Sequence, residues 1–179
     1  MRIISGKYKG KRITAPKKLP VRPTTDMAKE ALFNILNNRF HLNDSKVIDL
    51  FAGTGNISFE FASRGNVEIV AVDSDAGCIQ FISKTAKELD FQITTVKSDV
   101  FKYLHRVKQK SDIIFADPPY NLGADDFNTI VKSVFEKELL AEDGLLIIEH
   151  STQTDLSLSQ YFTEKRKYGG NVFSFFENI

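Results

Sequence analysis

The sequence predicts an α/β fold: a mainly parallel, doubly wound sheet with helices on both faces, preceded by a short basic hairpin. Three observations carry this expectation. From about residue 46 onward, short β-branched runs alternate with stretches of helical period. Four successive runs end at or near an aspartate, at Asp49, Asp73, Asp99 and Asp117. The first 25 residues hold eight cations and no acid, whereas the rest holds 16 cations against 23 acids.

In order along the chain, residues 2–14 alternate apolar and polar side chains around Gly6 and Gly10, as a short hairpin does. Arg22-Pro23-Thr24-Thr25-Asp26 makes a rigid turn and a helix start, and apolar residues at helical spacing fill 28–40. Strands are expected at 47–51, 67–72, 91–96, 112–116 and 144–149. Helices are expected at 57–63, 76–89, from Ser98-Asp99 through 104, and at 126–137. Two last strands, 161–168 and 171–176, flank Gly169-Gly170 as a hairpin. Ligands of such a sheet bind beyond the carboxyl ends of its strands.

Composition narrows the classes. With 179 residues, 42% of them hydrophobic, and 15 phenylalanines, the chain can bury about 70% of its unfolded surface in one domain. No apolar run approaches the roughly 20 residues of a membrane span. The start, Met1-Arg2-Ile3-Ile4-Ser5, leads into basic residues with no secretory apolar segment. One cysteine, Cys78, and three scattered histidines give neither a disulfide nor metal-ligand spacing. The expectation is a reduced, cytoplasmic, metal-free protein. Its basic arm (Arg2, Lys7, Lys9, Lys11, Arg12, Lys17, Lys18, Arg22) on an acidic body suggests a polyanion partner, although a solvated tail has the same composition.

The strand ends hold the chemistry. Gly53 and Gly55, in Phe51-Ala52-Gly53-Thr54-Gly55, allow close backbone approach to a ligand, or simply a tight strand-to-helix turn. Ser58 stands where a dinucleotide fingerprint has a third glycine or an alanine. Asp73 lies 20 residues beyond Gly53 and taken alone also fits the ribose of NAD. Four carboxylates together oppose a pyrophosphate and suit a cationic ligand such as S-adenosylmethionine, with its ammonium, sulfonium and ribose hydroxyls. Asp117-Pro118-Pro119-Tyr120 is the most specific feature. Two prolines remove N–H donors and leave carbonyls as acceptors, so Asp117 and the Pro118 carbonyl can hold both hydrogens of an exocyclic amine. Tyr120 can stack on an extruded base. Cys78 is expected in the core, which argues against methylation through a cysteine nucleophile. His105 and His150 read as a solvated helix residue and a strand-end residue, with no Ser-His-Asp arrangement.

Phe51-Ala52-Gly53-Thr54-Gly55, Asp73 and Asp117-Pro118-Pro119-Tyr120 resemble the class I methyltransferases of exocyclic amines. The segments 2–10, Arg22-Pro23-Thr24-Thr25-Asp26 and Glu30-Ala31-Leu32-Phe33-Asn34, with Tyr168-Gly169, resemble the bacterial 16S ribosomal RNA guanine-N2 methyltransferases of the RsmD type along essentially the whole chain. Met27 departs from that pattern, which usually has arginine there. The resemblance implies a Rossmann-like, seven-stranded sheet in a single methyltransferase domain. Residues 1–24 would be an RNA-binding extension, 25–44 a helix and linker, and 45–179 the catalytic core. It implies that Asp49, Gly53 and Gly55 hold the methionine part of S-adenosylmethionine, Asp73 the ribose, and Asp99 with the Val100 amide the adenine. Asp117, Pro118, Pro119 and Tyr120 would hold the base, and the basic hairpin, with Arg2, Lys7, Lys9, Lys11, Arg12 and Arg22, would serve the RNA. The implied partner is 16S RNA within a small-subunit or assembly-stage particle, with no membrane and no protein partner indicated. A DNA adenine-N6 methyltransferase shares Asp-Pro-Pro-Tyr but usually needs a separate recognition domain. A noncatalytic RNA-binding assembly factor has no need of the glycines or of Asp117.

Overall fold

A computed structural model describes residues 1–19, 24–65, 68–119 and 121–178. Twelve elements follow one another: α1 (Asp26–Arg39), β1 (Lys46–Leu50), α2 (Asn56–Ser63), β2 (Glu68–Asp73), α3 (Ala76–Glu88), β3 (Ile93–Lys97), α4 (Val100–Arg106), β4 (Ser111–Ala116), α5 (Ala124–Glu136), β5 (Leu140–Ser151), β6 (Phe162–Tyr168) and β7 (Asn171–Phe176). The strands form one sheet in the order β3-β2-β1-β4-β5-β7-β6. The first five are parallel, and β7 runs antiparallel to both β5 and β6.

Strand residues alternate between two buried faces. Ile48, Leu50, Ile114, Ala116, Leu146 and Ile148 pack under α4 and α5. Val47, Ile113, Phe115, Leu145 and Ile147 pack against α1 and α2. Covered on both faces, β1 reads as an apolar run broken only by Asp49, and β4 as one from Ile113 to Ala116, and this made them legible.

Helix starts differ from their apolar periods because capping decides them. Thr25 Oγ1 accepts from Ala28 N at 3.2 Å, so α1 begins two residues before its first apolar position. The strand expected at 144–149 extends back to Leu140, through an irregular register opposite Ser111–Ile113. The one expected at 91–96 begins only at Ile93. Val67, expected to open β2, lies outside the described residues.

The N-terminal segment is less regular than the expected hairpin. Among the described residues it has a single antiparallel bridge, Arg2 to Arg12, closed by Ile3 N donating to Lys11 O at 2.9 Å and Ile13 N donating to Met1 O at 3.0 Å. Its underside is core: Ile3 and Ile13 are buried and pack with Phe59, Ile82 and Phe91. Gly6 explains the tightness of this seat. With φ at +85°, a Cβ there would lie 1.8 Å from the Ser63 carbonyl oxygen, so only glycine lets the arm lie on the end of α2.

Buried polar bonds fix the arm further. Glu60 of α2 accepts from Ile4 N at 2.8 Å and Ser5 N at 3.0 Å, and pairs with Lys29 Nζ at 3.2 Å and Arg64 Nε at 2.8 Å. Lys29 Nζ also donates to Arg2 O at 2.6 Å and Asn56 Oδ1 at 2.8 Å. The Lys29 and Glu60 side chains are wholly buried, so this pair is stabilising only because its remaining donors and acceptors are used.

Candidate active site

The strand order reverses between β1 and β4, where doubly wound sheets open a crevice. A cavity of about 570 Å³ lies there. Its lining includes Asp49, Asp73, Asp75, Asp99, Asp117 and Glu149, and among the described residues it contains no lysine, arginine or histidine. Such a wall fits a ligand with positive charge and hydroxyl or amine donors, and repels a pyrophosphate.

Asp49, within β1, is fully buried, and its Oδ2 accepts from Ser58 N at 3.1 Å and Ser58 Oγ at 2.6 Å. Ser58, the residue that breaks the dinucleotide fingerprint, is thus the partner of this acid. Burial pushes the Asp49 carboxyl up to about 7, against the opposing pull of Ser58. Asp73 ends β2. Its Oδ2 accepts from Gly53 N and its Oδ1 from Asp75 N, both at 2.8 Å, which ties the glycine loop to β2 and leaves lone pairs for a ligand. Asp99 caps α4, accepting from Lys102 N at 3.0 Å.

The two glycines part company. Gly53, at φ +54°, lines the cavity. Gly55, at φ +81°, does not: a Cβ there would meet Ile82 Cγ1 at 2.9 Å and Phe59 at 3.1 Å, so its need is core packing below the turn. Val100 opens α4, is buried, and its side chain is likewise outside the lining.

Asp117 follows β4 directly. Among the described residues its side chain makes no hydrogen bond. Burial, with the charges of Glu149 and Asp49 adding to it, raises its carboxyl well above the usual range. Pro119 O accepts from Leu122 N at 2.9 Å, which turns the chain into α5, while the Pro118 carbonyl has no donor among the described residues. Among the described residues, the carboxylate and this carbonyl are therefore two acceptors without a donor at one cavity wall. Tyr120 lies outside the described residues, as does Arg22 of the arm.

Several lining residues carry no site role in the sequence expectation. Thr24, Asn56, Glu149 and Asn171 converge from four segments far apart in sequence. Glu149 ends the apolar run Leu145–Ile148, the same signal that marked Asp117, and could have been found by it. Cys78 is buried as expected yet reaches the cavity wall, and burial pushes its thiol up to about 12, which leaves it unreactive. His105 is exposed on α4. His150 is buried in β5, with Nε2 2.8 Å from Ser174 Oγ, and has no place in the cavity lining.

The arm meets this cavity at its rim. Thr54 also lines a second groove of about 360 Å³, formed with Met1, Arg12, Pro16, Lys17 and Leu19. Arg2, Lys7, Lys9, Lys11 and Arg12 are all exposed.

Comparison with known proteins bears on the family and the fold. The family profile described as "Conserved hypothetical protein 95" matches residues 1–177. YlbH of Bacillus subtilis, named as a candidate rRNA methyltransferase, is 32% identical over 177 residues, 94% of each chain. Ribosomal RNA small subunit methyltransferase D of Escherichia coli K12 is 26% identical over 175 residues, 96% of this chain and 86% of that one. The solved structure of yhhF from Escherichia coli, titled as a candidate methyltransferase, superposes with a TM-score of 0.84 at 25% identity, covering 98% of this chain and 96% of that one.

Proposed function

We infer function from one premise: this chain belongs to the family described as conserved hypothetical protein 95, alongside the small-subunit ribosomal RNA methyltransferases of the RsmD type. It is an S-adenosylmethionine-dependent rRNA methyltransferase, and its target in this reading is the N2 amine of one guanine in 16S RNA. Its substrate is a small-subunit or assembly-stage particle. The DNA reading and the noncatalytic reading are set aside, since neither explains the family match together with the acidic cavity.

The acidic wall fits the cofactor. S-adenosylmethionine, when bound, supplies an electrophilic methyl group on a sulfonium. Asp73 would accept from the ribose hydroxyls and Asp99 from the adenine amine, with the Val100 amide beside it. Asp49 and the Gly53 backbone would hold the methionine part, with Gly55 shaping the turn that carries them.

The observation that carries the reading is a pair of acceptors without a donor among the described residues, the Asp117 carboxylate and the Pro118 carbonyl. A guanine amine is a poor nucleophile, because its lone pair is delocalised into the ring. Holding both of its hydrogens draws the nitrogen toward a tetrahedral shape and aims the lone pair, so positioning is the main device. Methylated nitrogen must then lose a proton. The Asp117 carboxylate, which holds that amine, is placed to take it at a carboxylate oxygen. Tyr120 is suited to stacking on the base, and the exposed cations of the arm to holding the RNA.

The test is mass analysis of nucleosides from ribosomal RNA of a strain lacking this gene. The expected result is loss of one N2-methylguanine from 16S RNA, restored when purified protein and S-adenosylmethionine are added to its small-subunit particles. Unchanged N2-methylguanine in that strain overturns the reading.

A further inference from the structure

We propose that Glu149 reads the target base, its carboxylate accepting the N1–H of the guanine whose N2 amine Asp117 and the Pro118 carbonyl hold. This rests on the guanine-N2 reading above and deepens it by naming the residue that selects guanine.

Register puts Glu149 in place. Ala116 of β4 pairs with Ile148 of β5, so Asp117 and Glu149 are the next residues on two adjacent parallel strands. They share the sheet face of Phe115 and Ile147, and both line the cavity. Glu149 is buried. Thr24 Oγ1 donates to its Oε2 at 2.7 Å, and Asn171 Nδ2 donates to its Oε1. Burial raises the Glu149 carboxyl above its usual range and these two bonds pull against that rise; they fix the carboxylate from both sides, and each oxygen keeps a lone pair. The structure therefore holds an immobilised, buried acceptor beside the acceptors for the amine.

The chemistry of the bases says what that acceptor is for. Three bases carry an exocyclic amine. In adenine the ring nitrogen beside the amine is N1, and in cytosine it is N3. Both present a lone pair there, which a carboxylate repels. In guanine the amine lies between N3, a lone pair, and N1–H, a donor that points the same way as the amine hydrogens and that neither other base has. An Asp117–Glu149 pair thus matches the donor edge of guanine and leaves an unpaired buried acceptor against either other base.

The alternative is that Glu149 only anchors Thr24 and Asn171. A substrate analogue separates the two roles. 2-Aminopurine keeps the amine at C2 but has a lone pair at N1. Small-subunit particles are reconstituted with RNA carrying guanine or 2-aminopurine at the mapped target position, and single-turnover methylation is measured on each. The wild-type protein is expected to favour guanine by about 10–100-fold. Glu149→Gln, whose amide can offer either an acceptor or a donor to N1, is expected to shrink that ratio about tenfold or more. S-adenosylmethionine binding by calorimetry confirms that the variant is folded.

Equal wild-type rates on the two particles overturn the proposal without any variant, and leave N2 methylation standing. A Glu149→Gln protein that slows both substrates by the same factor also overturns it, because Glu149 is then an anchor alone. Failure of the wild type to methylate the guanine particle overturns the substrate reading itself, and this inference falls with it.

Discussion

Asp49 shows how an acid can be legible in a sequence while its behaviour is not. Its place near the end of a strand is visible, but its complete burial and its two bonds from Ser58 depend on how α2 sits on β1. With its carboxyl near 7 in the fold and about 3.8 when unfolded, the group favours the folded state fully below pH 4. That contribution is lost as pH rises through about 7, since only the unfolded chain ionises freely on the way. The change is on the order of a few kcal/mol. Asp49→Asn keeps an acceptor for Ser58 and removes the titration. Urea denaturation at pH 5 and pH 8 should show a smaller loss of stability in the variant than in the wild type; equal losses would place the Asp49 titration elsewhere. Asp117 makes a different demand. Asp117→Ala should reduce single-turnover methylation by about 10²–10³-fold, as removal of one preorganised group does. Asp117→Asn should fall less, because its amide oxygen still accepts from the amine although it cannot take the proton. If alanine and asparagine cost the same, the carboxylate acts by charge alone.

At the scale of elements, the parallel strands and their helices could be read from periodicity, and the hairpin of β6 and β7 from its glycine pair. The seat of the arm could not. Glu60 stands 56 residues from Ile4 in sequence, and a glutamate on a helix reads as a solvent-facing residue until the chain that covers it is known. Glu60→Ala leaves the Lys29 ammonium buried without its carboxylate and two arm N–H groups without acceptors. The expected cost is about 3–5 kcal/mol. Trypsin should then cut at Lys7, Lys9, Lys11 and Arg12 much faster than in the wild type. A variant with a wild-type melting temperature and an uncut arm would refute the role given to this cluster.

Across the whole molecule, charge is arranged in two poles. The cavity wall is acidic, and the arm at its rim presents exposed cations. The overall excess of one positive charge conceals this, but the split along the sequence at residue 25 reveals it. Replacing Lys7, Lys9, Lys11 and Arg12 with glutamine removes four charges and spares Ile3, Ile13 and the Arg2 carbonyl. If those four meet phosphates, the log–log salt dependence of RNA binding should flatten by about 3. S-adenosylmethionine affinity, measured by calorimetry, should hold. An unchanged salt slope would make the cations a solvated surface.

The buried contacts of Glu60 also bear on how such a protein could be rebuilt. An arm grafted from a relative would have to bring its main chain at residues 2–5 to the same places, where Glu60 accepts from two N–H groups and Lys29 donates to a carbonyl. The transplantable unit is therefore not a stretch of sequence. It is the arm together with Lys29 of α1 and with Asn56, Glu60 and Arg64 of α2 and its C-terminal cap, because Glu60 and Lys29 take up the Ile4 and Ser5 N–H groups and the Arg2 carbonyl.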